Sequence, residues 1–300
     1  MRNQLPVDRI KPMIRIPKVH EAVIAMMKEV DYNDDGHVYT RVSDGKFLAG
    51  VSTISSIFPK PWLSAWGAKE VAKYLGFSDY KEECLENSTK MLERIKGLEV
   101  KDYQKLIVEA KGAASRKSKD ALIDGTLGHE ILESIVKYRM GKGSLDKYYL
   151  LKEGEPLKRA IDMFLEWETK NVEKWVLSEA RVADAETYEF AGTLDAMAIL
   201  RDGRLAIIDF KFASHIGEDY YLQTAGYQLT FELKGIKVDT RIILRFPKTD
   251  TMDVYDKVTR SYSKVENTIE AREVPTPYEF DRDTFIAARQ IARYINFIQK

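Results

Sequence analysis

The sequence predicts an α/β fold, a central mixed β-sheet flanked by helices with a mostly helical lobe before it. Three observations carry this expectation. Apolar residues recur at helical spacing from Leu63 to about Met140, and strand-like runs then fill Trp175 to Phe212 around the turn RDGR at 201–204. Beyond them a helix, two strands and a closing helix follow in turn, the alternation expected when helices cover a sheet.

The elements follow in order. His37 to Ile57 alternates polar and apolar residues around SDGK, Ser43 to Lys46, which predicts a hairpin leading into a strand that ends at PKPW, Pro59 to Trp62. Helices are expected near 64–75, 79–96, 102–118 and 126–140, separated by Gly, Asp and Ser. Another spans about 155–171, opened by Pro156 and carrying Ile161, Phe164, Leu165 and Trp167. Strands are expected at Trp175–Ala183, Gly192–Leu200 and Leu205–Phe212, the last two joined as a hairpin. A helix near 218–234, strands at Thr240–Phe246 and Thr251–Val258, and an amphipathic helix from about Arg282 to Ile298 complete the pattern. With no internal repeat and the nine prolines scattered, one continuous domain over 1–300 is expected. Its parts would be N-terminal strands and an arm to about 60, a helical lobe over 61–171 and a core over 172–300, with the 125–140 helix contributing to the site.

Composition narrows the function classes. At 44% hydrophobic and 31% charged, the chain reads as soluble and globular. Lys plus Arg and Asp plus Glu are 47 each, so any nucleic-acid binding must come from local patches. Two are visible: Arg2, Arg9, Lys11, Arg15 and Lys18 against Asp8, and Arg116, Lys117 and Lys119, although each also reads as an ordinary solvated face. The single Cys84 excludes an internal disulfide framework and a four-cysteine metal site. No apolar run suits a membrane span or signal peptide, so a cytoplasmic protein, of a bacterium or a phage-infected host cell, is expected.

The residues that draw attention to chemistry interrupt apolar runs. In AIIDFKF, Ala206 to Phe212, Asp209 and Lys211 share one face of a strand and Phe210 takes the other. Taken alone the two charges read as a strand fraying into a surface ion pair. In GTLDAMAIL, Gly192 to Leu200, Asp195 interrupts the preceding strand, and the tight hairpin brings it close to Asp209. Two such carboxylates repel unless one is protonated or a cation lies between them. In GTLGHEILE, residues 125–133, His129 and Glu133 share a helix face, and in YLQTAGY so do Gln223 and Tyr227. Each also has a bland reading, as a structural histidine or a polar helix surface. DYNDDGHVYTRV, Asp31 to Val42, opens like a calcium loop, but Val42 stands where the bidentate glutamate belongs, and it reads as a hairpin turn.

In order, the chain carries G-T-x-x-H, G-T-x-D, D-x-K about 14 residues on, and Q-x-x-x-Y about a dozen after that. This series resembles the PD-(D/E)XK nuclease superfamily, in particular its RecB-like exonuclease branch, which includes phage exonucleases and the mitochondrial genome-maintenance exonuclease. The likeness covers about residues 125–245. It implies a restriction-endonuclease-like core in which Asp195 and Asp209, the main-chain carbonyl of Phe210 and His129 hold Mg²⁺ or Mn²⁺. It also implies Lys211 as the catalytic lysine and Gln223 with Tyr227 positioning that lysine and a phosphate of the DNA. Glu133 and Glu179 stand where relatives often carry acids, and Arg116 is a further candidate. Members of the branch with an iron–sulfur cluster use four cysteines, so no such cluster is expected here, and no G-x-x-x-x-G-K-[ST] loop marks a helicase.

The implied activity is a metal-dependent exonuclease that hydrolyses phosphodiester bonds from DNA ends, in recombination, repair or replication. Its partners would be DNA single strands or ends and a recombinase or single-strand-binding protein, with no membrane. The alternatives are a structure-specific endonuclease of the same superfamily and a non-catalytic nuclease-like DNA-binding subunit. Trp62, Trp66 and Tyr74 are candidates to stack on bases, although core packing is the use expected first of each.

Overall fold

A computed structural model describes residues 17–33, 38–76, 81–256 and 261–298. The basic stretch ending at Arg15 and the centre of the Asp31–Val42 turn lie outside them, as does the side chain of Trp62. The described chain begins with α1 (Pro17–Glu29), where strands and an arm were expected. Its apolar residues Val19, Ala22, Val23 and Met26 fall at helical spacing and are all buried. A small meander follows: β1 (Val30–Asn33), β2 (Val38–Arg41) and β3 (Phe47–Gly50), antiparallel around the Ser43–Lys46 turn.

The next segment corrects the sequence reading. Val51–Ser55 forms the short helix α2 instead of a strand. Its β-branched residues favour a strand in isolation, but Val51 and Ile54 are fully buried, and Val51 reaches Gly192 and Gly226. Tertiary burial overrides local propensity here.

The chain groups into two compact units, Pro59–Thr126 and the remainder. The first holds α3 (Trp62–Tyr74), α4 (Lys81–Lys96), α5 (Val100–Lys111) and the opening turns of α6 (Ala113–Arg139). Within it the Tyr74 hydroxyl donates to Glu109 Oε2 at 2.9 Å and Lys117 Nζ to Glu70 Oε2 at 2.9 Å. The expected break near residue 120 is absent, and α6 runs on through Gly125 and Gly128.

The larger unit continues with α7 (Asp146–Tyr149), α8 (Pro156–Asn171), β4 (Val172–Asp184), β5 (Phe190–Leu200), β6 (Leu205–Phe212), α9 (Glu218–Leu233) and β7 (Thr240–Phe246). The strands β8 (Thr251–Asp256) and β9 (Ser261–Glu266) pair with each other, β10 (Glu270–Glu273) adds an edge, and α10 (Tyr278–Ile298) closes the chain. Eight strands form one mixed sheet in the order β1-β2-β3-β5-β6-β7-β10, with β4 also on β5. β6 runs parallel to β7 and antiparallel to β5.

Both sheet faces are covered. Ala206, Ile208 and Phe210 pack with Ile131, Ile135, Ile161 and Phe164 of α6 and α8. Ile207 joins Val23 of α1, Tyr227 of α9 and Phe285 of α10 in a second core. The AIIDFKF run is apolar on both faces because helices lie on both. Among the described residues no helix is long and apolar enough to cross a membrane.

Candidate metal centre

β3 and β6 share one edge of β5: β3 pairs with Phe190 and Ala191, and β6 with Ala196 to Ile199. The residues between them, Gly192 to Asp195, are the G-T-x-D motif. Asp195 directly precedes Ala196, whose partner across the hairpin is Ile208, and Asp209 directly follows Ile208. The two acids therefore leave the paired ladder at the same end. The link is direct: the Phe210 amide donates to Asp195 Oδ2 at 2.7 Å.

His129, Glu179 and Asp195 present ligand atoms that all lie within 4.8 Å of one another, with His129 Nδ1 3.9 Å from Asp195 Oδ2. Glu179 lies on β4 between the pairs Ser178↔Ala196 and Ala180↔Leu194. Its φ of 46° puts it in the left-handed region. That conformation is uncommon for a glutamate and costs about 1–3 kcal/mol, and such strain gathers at functional sites.

Asp209 is fully buried, with Lys211 Nζ 2.6 Å from its Oδ2. That ammonium is the ion-pair partner of an otherwise enclosed carboxylate. Lys211 also lies over the Tyr220 ring, 5.0 Å from its centre. The strand end is held by aromatic packing, Phe210 edge-on to Phe164 at 5.7 Å and Phe212 stacked on Phe246 at 4.8 Å.

The site stores electrostatic tension. Burial pushes Glu179 up to about 8, with Asp195 and Glu133 adding to the effect. Burial likewise raises Asp209 to about 6 against the pull of Lys211, and raises Asp195. Burial and then Lys211 press His129 down to about 4, leaving a neutral imidazole with a lone pair to offer. Burial opposes the charge of Lys211, but Asp209 and Asp195 outweigh it and its value rises. Asp209, expected as a ligand, is not part of that three-residue group, and its carboxylate lies against Lys211. A divalent cation would relieve carboxylates raised in this way, and two acids with one imidazole could take Mg²⁺ or Mn²⁺.

No protein-family model matches the chain, and neither does any curated protein.

The remaining predicted residues are placed as follows. Gln223 Nε2 donates to the Tyr227 hydroxyl at 3.1 Å. Burial, then Asp209 and Asp195, holds that phenol well above its ordinary value, so it stays protonated. Glu133 pairs with Lys137 and acts on Glu179 only through its charge. Arg116 belongs to the smaller unit, where it donates to the Glu109 carbonyl at 2.6 Å and lies over the Tyr74 ring. The sequence reading passed over Tyr220, although it lies three residues before Gln223 and so on the same helix face. Glu179, treated there as marginal, contributes to the three-residue cluster.

Glycines let the elements close on the site. A Cβ at Gly128 would lie 2.3 Å from Phe212 Cζ, and one at Gly192 would lie 2.8 Å from Tyr227 Cε1. Alanine in a helix gains about 1 kcal/mol over glycine, but overpacking costs about 1–3 kcal/mol, so Gly128→Ala is expected to destabilise the protein. Urea unfolding checks this, and a stabilised variant would contradict the close approach of α6 to Phe212.

A pH effect follows for the metal-free protein. A carboxyl raised on folding contributes stability below its unfolded value and loses it as pH rises through the folded value, here about 8 for Glu179. Glu179→Gln should flatten the fall in stability towards pH ~8 and leave the variant more stable there, by on the order of 1 kcal/mol in chelator. A profile parallel to that of wild type would contradict the placement of Glu179.

Proposed function

We propose that this chain is a metal-dependent DNA exonuclease, its resemblance to the RecB-like branch of the PD-(D/E)XK superfamily extending to a restriction-endonuclease-like core. The observation that carries the reading is the His129, Glu179 and Asp195 cluster, gathered beside the fully buried Asp209–Lys211 pair. A structural ion pair explains Lys211 with Asp209 but not why further acids and a neutral histidine gather there. A cation explains all of them.

Asp195, Asp209 and His129 would hold the cation, with Glu179 alongside and the Phe210 carbonyl as a further donor. When bound, Mg²⁺ or Mn²⁺ supplies Lewis-acid polarisation of the phosphate and a lowered water pKa. The Lys211 ammonium, fixed by Asp209 and Tyr220, orients the attacking water and offsets charge building on the phosphate. Water oxygen forms the new bond to phosphorus, the bridging P–O bond breaks, and the departing oxygen takes up a proton. The Tyr227 hydroxyl, held by Gln223, donates to a phosphate oxygen. The Phe210 amide keeps Asp195 oriented throughout.

The test is hydrolysis of end-labelled linear DNA beside a covalently closed circle of the same sequence. Release of label from the linear substrate, arrested by EDTA and restored by Mn²⁺ or Mg²⁺, is the expected result. Equal cutting of the circle would replace the exonuclease by an endonuclease, and no cutting of either would sink the catalytic reading.

A further inference from the structure

A second group of side chains lies next to the acids on the same sheet. Thr193 is two residues before Asp195 on β5, and Arg181 is two residues after Glu179 on β4, with Arg181 and Thr193 in register. Residues two apart on a strand point to the same face, about 7 Å along it. Thr193 exchanges a hydrogen bond with the Tyr39 hydroxyl at 3.0 Å. Tyr39 pairs in register with Tyr32, their ring centres 4.8 Å apart. The exposed Arg181 guanidinium lies over the Tyr32 ring, 4.5 Å from its centre.

We infer that Arg181 binds a backbone phosphate of the nucleic-acid strand next to the one being cut, oriented by the paired Tyr32 and Tyr39 rings, which are tilted by 33° to each other. This rests on the nuclease reading above. A guanidinium lying over an aromatic ring keeps its N–H donors around its own edge, and two of its five suffice for a bidentate phosphate contact. Stacking holds the side chain in place, so less entropy is lost on binding. Thr193 ties the tyrosines to the strand that carries Asp195, and Arg181 is in register with Thr193, two residues along from Asp195. A chain of zero net charge needs such local contacts to hold a polyanion.

The experiment measures binding of a labelled single-stranded oligodeoxynucleotide in chelator, where nothing is hydrolysed, across a range of salt. For Arg181→Met the expected affinity is about three- to tenfold lower than wild type, and the slope of log K against log salt is shallower by about 0.7, one phosphate contact. Tyr32→Leu should shift both in the same direction by less. An unchanged Mn²⁺-induced rise in Tm for Arg181→Met would show that the metal residues are undisturbed. An oligonucleotide with one neutral methylphosphonate near its end should bind wild type more weakly than the unmodified strand does, and should bind Arg181→Met no more weakly than the unmodified strand. If wild type binds and cuts DNA while Arg181→Met keeps its affinity and slope, the inference fails and the nuclease reading stands. If wild type neither binds nor cuts DNA, both fall.

Discussion

Lys211→Ala is expected to lower DNA hydrolysis by about 10³-fold or more while leaving the fold and Mn²⁺ binding in place. The size of the effect follows from where the ammonium lies. Its charge is kept by Asp209 and Asp195 against burial, and its position by the Tyr220 ring and the Phe210 and Phe212 anchors. A preorganised charge of this kind acts on the transition state without reorganising, so its loss falls on kcat more than on KM. Lys211→Met, which keeps much of the volume, should be equally inactive and unfold closer to wild type. Single-turnover hydrolysis with Mn²⁺ measures the rate, and thermal unfolding with Mn²⁺ verifies the fold. Retention of more than about a tenth of the wild-type rate would remove Lys211 from the mechanism.

Asp209→Asn should abolish most of the stabilisation that Mn²⁺ gives. Ligand binding to the folded state alone stabilises it by about 2.7 kcal/mol at a hundred times the dissociation constant, or several degrees in Tm. Asp209 is fully buried with Lys211 2.6 Å from it, and burial raises its carboxyl towards neutrality. An amide cannot supply the charge. Thermal unfolding of wild type and variant across a Mn²⁺ titration reads the difference, and equal shifts in both would mean that the cation binds elsewhere.

Much of this arrangement could be read from sequence because it depends on local pattern. The RDGR turn fixes the β5–β6 hairpin, and with it the approach of Asp195 to Asp209. The four-residue spacing of Gln223 and Tyr227 fixes their shared helix face. What could not be read depends on contacts distant in sequence. Val51–Ser55 becomes a helix because Val51 is buried against Gly192 and Gly226. Gly125 looks like a break between two helices, yet α6 runs through it, and Gly128 leaves the room that Phe212 fills. The edge strand β10, four residues long and mostly charged, carries almost no strand signal. Glu179 reads as one more strand acid, since nothing in its neighbours announces a φ of 46°. Arg116 stands out in a basic run, but its guanidinium is engaged by Glu109 and Tyr74 within the smaller unit.

On the proposed function, these side chains hold a divalent cation. Anomalous scattering from crystals grown with Mn²⁺ tests it most directly. The predicted result is a peak about 2.0–2.3 Å from carboxylate oxygens of Asp195 and Asp209 and from a ring nitrogen of His129, and its absence from Asp209→Asn crystals. No peak at saturating Mn²⁺, or one away from these residues, would mean that they are not a metal site.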